Sequence, residues 1–377
     1  MKYLFLLLFL ITGSLFAQDS PFVMRYDMGR GEPRLTFGTE QLRTASISIG
    51  DVDGDGDNDA VIANGRHWPE VNKIFFNNQG KFSGKFSSFC TIGSIHSTSY
   101  AAELGDMDND GDLDIVEIND TAPHRLYLND GTGQFKFEST LAWVSSARNG
   151  ILADLDNNGF TDVLICNRGE QNIVCYNDGN LSFTCASLAT ANNATIDIEV
   201  ADINNDKLPD LVLANRDGIA NTLLLNKGDR QFEEVLTFGQ GTFETRSIEV
   251  ADINNDNYPD IITANINGQN IVYLGSEDLQ FSKTIGFGNA DEDTYSVAKA
   301  DFNQDGFIDI VVGNYKSQNA IFINQSGSSL ERIDVLTDTY KSYDVKTADL
   351  NGDGWMDVVF ANSDAYNLYM LNRFGDQ

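Results

Sequence analysis

A nine-residue acidic pattern, D-x-D/N-x-D/N-x-x-x-D, occurs seven times in this chain of 377 residues. It starts at Asp51, Asp106, Asp154, Asp202, Asp252, Asp301 and Asp349, with spacings of 55, 48, 48, 50, 49 and 48 residues. A period of this length marks a fold built from copies of one supersecondary unit, none of which can bury its apolar face alone. The same nine residues set side-chain oxygens at alternate positions of a tight loop, as a hard cation requires. One pattern therefore bears on both architecture and chemistry.

The flanks repeat as well. An alternating segment leads into each pattern, as at Ser247–Asp252, and a short apolar run leads out, as at Ile261–Asn265 and Val358–Asn362. A polar turn follows, then a second apolar run such as Leu126–Asn129 or Leu223–Asn226. After a Gly-containing turn comes a fourth segment such as Gln231–Gly239. Runs of β-branched, aromatic and Leu residues between Asn/Asp/Gly turns predict short strands, and no stretch sustains a helical period. Four strands in each unit of about 48 residues predict an all-β, seven-bladed β-propeller with four-stranded blades. Only 28 residues follow Asp349, so the last blade lacks its fourth strand. Arg34–Gly38 matches the fourth strand at Val235–Gly239. The N-terminal strand is therefore expected to close the last blade against Asn367–Asn372 and remove an open edge.

Residues 1–17 read as a signal peptide: Lys2 supplies a positive start, Leu4–Ile11 an apolar run and Ala17 a small residue at the cleavage point. The run is too short to span a bilayer as a helix, and no Cys sits there to carry a lipid. Residues 18–32 are then a leader, and 33–377 the propeller. The expected protein is a secreted or periplasmic monomer with no membrane span. Its four cysteines, Cys90, Cys166, Cys175 and Cys185, are too sparse for a disulfide scaffold. They read as small buried apolar residues, with one bridge available among the three in the third repeat. Net charge is -31, and 23 of the 56 acids occupy positions 1, 3, 5 or 9 of the loops. Such an acidic surface repels nucleic acid and anionic membranes, and neither is expected as a partner.

The four oxygen-bearing positions are Asp51, Asp53, Asp55 and Asp59 in the first loop, then Asp106, Asp108, Asp110 and Asp114 in the second. The third has Asp154, Asp156, Asn158 and Asp162; the fourth Asp202, Asn204, Asp206 and Asp210. The fifth has Asp252, Asn254, Asp256 and Asp260; the sixth Asp301, Asn303, Asp305 and Asp309; the seventh Asp349, Asn351, Asp353 and Asp357. Position 6 is Gly in five loops, where a sharp bend needs a permissive backbone. Lys207 and Asn257 replace it in the fourth and fifth, which makes the fourth the weakest candidate. An EF-hand would need a bidentate Glu at position 12 between helices. Glu117 supplies one in the second repeat, whereas the others have Ile62, Ile165, Leu213, Thr263, Val312 and Phe360. The expectation is up to seven structural calcium ions, each bracing the first and second strands of a blade.

These loops resemble the FG-GAP/VCBS-type repeats of integrin α-chain propellers and of many exported bacterial proteins, over about residues 33–377. The Phe-Gly element recurs at Phe37–Gly38, Phe238–Gly239 and Phe287–Gly288, without a Gly-Ala-Pro element. The resemblance implies a seven-bladed propeller with calcium between first and second strands, and ligands on the opposite face. It does not fix one activity.

On that opposite face, the position six residues before each loop reads Ala45, Tyr100, Arg148, Ile196, Arg246, Tyr295 and Tyr343. These residues are expected to ring the central channel. The second-to-third-strand turns add Arg66, His67, Trp68, His124, Arg125, Arg168, Arg216, Tyr315 and Tyr366, and all three histidines, with His96, fall at this end. Aromatic planes stack on sugar rings and Arg pairs with carboxylate or sulfate. Tyr100, Arg148, Arg168, Arg216, Arg246, Tyr295 and Tyr343 are therefore the candidate ligand-binding residues, for a glycan or a protein partner. An alternative is a polysaccharide-active enzyme performing lyase-type β-elimination, with His67, His124, Tyr100 and Arg148 as catalytic candidates. Glu117, acidic where its counterparts are mostly apolar, is expected to pair with Arg125.

Overall fold

In all seven repeats the segment leaving the acidic loop is apolar at almost every position, and in the computed structural model it becomes a strand buried on both faces. Examples are Asp59–Asn64, Asp114–Asn119 and Asp210–Asn215. The structure describes residues 22–23, 35–77, 88–93, 95–188, 194–239, 244–335 and 338–376. The segment read as a signal peptide lies outside these residues, as does the leader apart from 22–23.

The chain is all-β, built from repeated four-stranded sheets of the propeller kind. A 3-10 turn at Phe374–Asp376 is the one helical element among the described residues. Each sheet is antiparallel in chain order, as in Thr195–Ala201, Asp210–Asn215, Asn221–Asn226 and Phe232–Phe238. Five repeats form separate four-stranded sheets. The first and last share an eight-stranded sheet, joined where Leu42 and Arg43 pair with Ala365 and Ser363. Thr36 bridges Leu368, the Phe37 N–H donates to the Asn367 carbonyl (3.1 Å) and the Tyr369 N–H to that of Leu35 (3.2 Å). Phe22–Val23, in the segment expected to be a leader, pairs beside these residues with Asn372 and Leu371.

The apolar residues gather into seven clusters, each shared by two neighbouring repeats. Repeats seven and one share one in the same manner, through Phe37, Ile47, Ile62, Val359 and Tyr369. Each fully buried Ile, Val or Leu contributes roughly 1.5–3 kcal/mol. Second strands feed two clusters at once, whereas fourth strands such as Phe232–Phe238 are largely exposed.

Polar side chains stitch the repeats at both ends. At the loop end, the position-9 Asp is buried and each of its oxygens accepts a backbone N–H: Asp357 takes Leu350 (2.9 Å) and Asn372 (2.7 Å). Asn372 then donates its amide to the Phe302 carbonyl of the preceding repeat. At the other end, the Asn closing each second strand accepts from a Ser or Thr hydroxyl on or just before the first strand, as Asn64 does from Thr44 (2.8 Å). A further Asn at the start of the third strand donates to that hydroxyl in the next repeat. Asn72 reaches Ser99, Asn319 reaches Ser342, and Asn367 reaches Thr44.

Candidate functional site

The acidic loops share one frame. Both oxygens of the position-1 Asp accept backbone N–H groups across the turn, as Asp154 does from Asn158 and Gly159. The position-5 oxygen accepts from position 7, as Asp353 does from Trp355. Position 6 has positive φ in every loop, including Lys207 (72°) and Asn257 (70°), so the fourth and fifth loops keep the turn without Gly. Carboxylates at positions 1, 3 and 9 converge in the first three loops, with one oxygen of each within 4.8 Å of the others: Asp51, Asp53 and Asp59; Asp106, Asp108 and Asp114; Asp154, Asp156 and Asp162. Position 5 stands outside these groups. In loops four to seven the position-3 Asn turns its amide onto the position-5 Asp, as in Asn204 to Asp206 (2.9 Å). Arg230 lies against Asp156 in the third loop (2.7 Å).

The first two loops also hold unpartnered carboxylate oxygens. Asp53 Oδ1 and Asp108 Oδ1 are buried and have no hydrogen-bond partner. Burial and the neighbouring carboxylates push both acids above the usual range. An all-oxygen donor set with orphaned, mutually repelling acceptors fits a hard divalent ion.

At the opposite end, all seven residues at the lead-in position line one cavity of about 200 Å³. The cause is a β-bulge in every first strand. Pairing skips one residue between Ala147 and Asn149, between Thr245 and Ser247 and at the equivalent step elsewhere, so the skipped residue is Arg148, Arg246 or its counterpart. A bulge re-aims the side chain it carries. Tyr100, Arg148, Arg246, Tyr295 and Tyr343 thus meet at the channel mouth. Deeper in the channel lies a layer that the motif did not reveal: Glu103, Asp197, Glu199, Glu249, Asp344 and Lys346. Asp197 accepts from Asn149 (2.6 Å) and the Ile248 N–H (3.0 Å), and Lys299 bridges Glu199 and Glu249. Burial raises Glu103 and Asp197, while Asp344 and the other acids raise Lys346.

His67 joins the mouth from the first repeat. Its Nδ1 meets Asp120 Oδ2 (2.8 Å) and its Nε2 meets the Tyr100 hydroxyl (2.9 Å). Arg148 donates to the other Asp120 oxygen (2.7 Å) and lies 4.9 Å from the Tyr100 ring centre. Burial raises the Tyr100 phenol, opposed by Arg148 and Arg246. Asp120, which orients both His67 and Arg148, was not a sequence candidate. It follows the Asn that ends its second strand, where a polar residue is ordinary for a turn.

Three candidates fall elsewhere. Arg168 pairs with Asp217 (2.6 Å) and Arg216 with Glu244, both outside the cavity lining. His124 is fully buried; its Nδ1 accepts the Asn119 N–H (3.1 Å) and its Nε2 meets Ser145 Oγ (3.2 Å). It stands where the other repeats use Asn72, Asn172, Asn221, Asn270, Asn319 and Asn367, so it is a link between repeats rather than a group facing ligand. Burial, then Arg125, lowers its pKa to about 4, against the Trp143 backbone. A histidine whose folded pKa is depressed destabilises the fold as pH drops below its unfolded value near 6.5. Over pH 6.5 to 4 the loss is about 3 kcal/mol. His124→Asn is expected to keep stability at pH 7 and abolish that part of the acid sensitivity, read by urea unfolding at pH 7 and 4.5. An unchanged pH slope counts against this role.

Glu117 pairs with Arg125 (2.7 Å), as the sequence suggested. Cys175 and Cys185 form a disulfide, correcting their reading as small apolar residues: they lie directly opposite in adjacent strands, Cα atoms 3.9 Å apart. Cys166 is buried and Cys90 half-buried, both as free thiols.

The FG-GAP-like repeat family model matches residues 51–117, 106–165, 154–213, 202–263, 252–312 and 301–360. No curated protein matches the chain. Among solved structures, one described as BBS1N in complex with ARL6DN, soaked with mercury, is similar at TM-score 0.59 and 11% identity, covering 94% of this chain and 97% of that one. Its lead-soaked counterpart gives TM-score 0.63 with the same identity and coverage. At this identity the likeness concerns the fold alone. Among the described residues no helix is long and apolar enough to cross a membrane.

Proposed function

The chain belongs to the FG-GAP-like repeat family, and from that premise we propose that it is an exported, calcium-braced binding module. In this reading it is a closed seven-bladed propeller, and a glycan or protein ligand seats at the channel mouth opposite the acidic loops. Closure is supported by the apolar cluster shared by repeats one and seven and by the Asn367–Thr44 link. Export rests on the apolar run Leu4–Ile11 and calcium on the loop oxygens. The ions are scaffold: when bound they neutralise the loops and hold the first and second strands of each blade.

The observation that carries the binding reading is the convergence of seven bulged residues on one cavity with Tyr and Arg walls. A concave site with a few fixed polar groups is the usual form of a ligand pocket. The similarly folded BBS1N, solved in complex with ARL6DN, adds support for a protein partner. Tyr295→Ala is expected to cut affinity at least tenfold for whichever glycan-array or protein ligand the wild type binds. Unchanged affinity would place binding elsewhere.

A second reading is favoured by the Asp120–His67–Tyr100 chain, which could pass a proton from a substrate carbon to the histidine. Incubation with acidic polysaccharides, followed by the absorbance of unsaturated uronates, tests β-elimination. Product from wild type and none from His67→Ala supports it; binding without product from either refutes it.

A further inference from the structure

The arginines of the channel face are mostly paired with acids: Arg148 with Asp120, Arg168 with Asp217, Arg216 with Glu244. Arg246 differs. Among the described residues no carboxylate lies within 4.0 Å of it and no acceptor takes its N–H groups. Its neighbours are ring faces, with the guanidinium 4.7 Å from the centre of Tyr295 and 5.6 Å from that of Tyr343. On Tyr343 a second guanidinium, Arg66, sits at 4.0 Å. Arg66 gives one N–H to Ser363, but its Nε is buried without a partner. Of the two, Arg246 lines the cavity, whereas Arg66 stands on the Tyr343 ring outside its lining. A cation taken from water without a counter-charge is unfavourable, and planar guanidinium donors match the oxygens of a carboxylate or sulfate.

The surroundings narrow the ligand. Tyr295 and Tyr315 stack at 4.7 Å, and Tyr343 stands nearly perpendicular to both, forming an aromatic corner beside the cations. Below lie acceptors, Asp197, Asp344 and Glu103, with Ser46, Ser247 and Ser296 among the lining hydroxyls. Carboxylates on the floor take hydroxyl donors and repel a second anion. A ligand fitting all three features has one anionic group, an apolar ring face and several hydroxyls.

We propose that Arg246 forms an anion subsite beside Tyr295 and Tyr343, which takes the carboxylate or sulfate of one residue in an acidic polysaccharide. The inference rests on the channel mouth being the binding site. A polymer chain lies across the mouth, one ring enters, and its anion meets the Arg246 guanidinium. The remaining acidic surface repels the chain, so binding focuses on this opening.

Calorimetric titration with a hexuronate tetramer, a neutral tetramer, a sulfated neutral tetramer and tetraglutamate tests the assignment on the full chain in millimolar calcium. The expected result is saturable binding of the uronate or the sulfated tetramer, at least tenfold tighter than the neutral one. Arg246→Gln should erase that preference, Arg246→Lys restore part of it, and Tyr295→Ala weaken every ligand. Thermal unfolding checks that each variant folds; if Arg246→Gln does not, Arg246→Met is read in its place. No binding of either anionic tetramer by the wild type overturns the proposal, as does equal binding of tetraglutamate, which would make the ligand an acidic peptide. If Tyr295→Ala loses binding while Arg246→Gln keeps the anion preference, the subsite is wrong and the mouth stands. If neither variant changes binding, both are wrong.

Discussion

Chelation of calcium is expected to lower stability by about 10 kcal/mol, enough to unfold a typical domain. Extracellular calcium modules bind with Kd of roughly 10⁻⁴ to 10⁻³ M. At about tenfold excess over Kd, a site that exists only in the folded state contributes roughly 1.4 kcal/mol. Seven independent loops reach the stated total by simple summation. The slope of unfolding free energy against the logarithm of free calcium counts the ions released. The first three loops, each with three converging carboxylates, should fill at the lowest calcium. The four loops with Asn at position 3 should follow, because there a neutral amide replaces one of the three converging carboxylates. Thermal unfolding in millimolar calcium and in excess chelator measures this directly. Equal midpoints in the two conditions would show that the loops are metal-free turns.

The repeats were legible because their chemistry is local. Alternation, turn residues and the nine-residue loop are all set by neighbours in sequence. They gave the strands, the four-stranded units and the lead-in positions that line the cavity. What escaped was set by contacts between repeats. Asp197 and Asp344 occupy one position of a first strand, and Glu103, Glu199 and Glu249 another. Nothing local shows that these positions face a channel, because the bulge one step earlier shifts the alternation. His124 misled for the same reason. Histidine in a polar turn suggests chemistry, yet its position is the one that six other repeats give to Asn for a link to the next repeat. Asp120 was missed because its partners, His67 and Arg148, come from the repeats on either side.

Arg125→Ala is expected to cost about 3–5 kcal/mol, the range for breaking a buried ion pair by removing one partner. Glu117 is 1% exposed and lies directly across the strand pair from Arg125. It also accepts from Asn72 (2.7 Å) and Ser99 (3.1 Å). Without Arg125 its charge is left with neutral donors only, which do not replace an opposite charge inside a sheet. The pair itself need not be stabilising. Its counterparts in other repeats, such as Ile165, Leu213 and Val312, are apolar and fully packed. In those repeats the link to the next first strand persists without any acid, as from Asn172 to Thr195 and from Asn319 to Ser342. The double substitution Glu117→Ile with Arg125→Leu should therefore recover most of the loss, because Asn72 retains Ser99 as its acceptor. Urea unfolding of the wild type, Glu117→Ile, Arg125→Leu and the double variant closes the cycle, with Arg125→Ala measured beside it. A double variant as unstable as Arg125→Ala would mean that the pair fixes the second repeat in a way an apolar core cannot. A small cost in Arg125→Ala would mean that water reaches Glu117 and that this repeat packs less tightly than its neighbours.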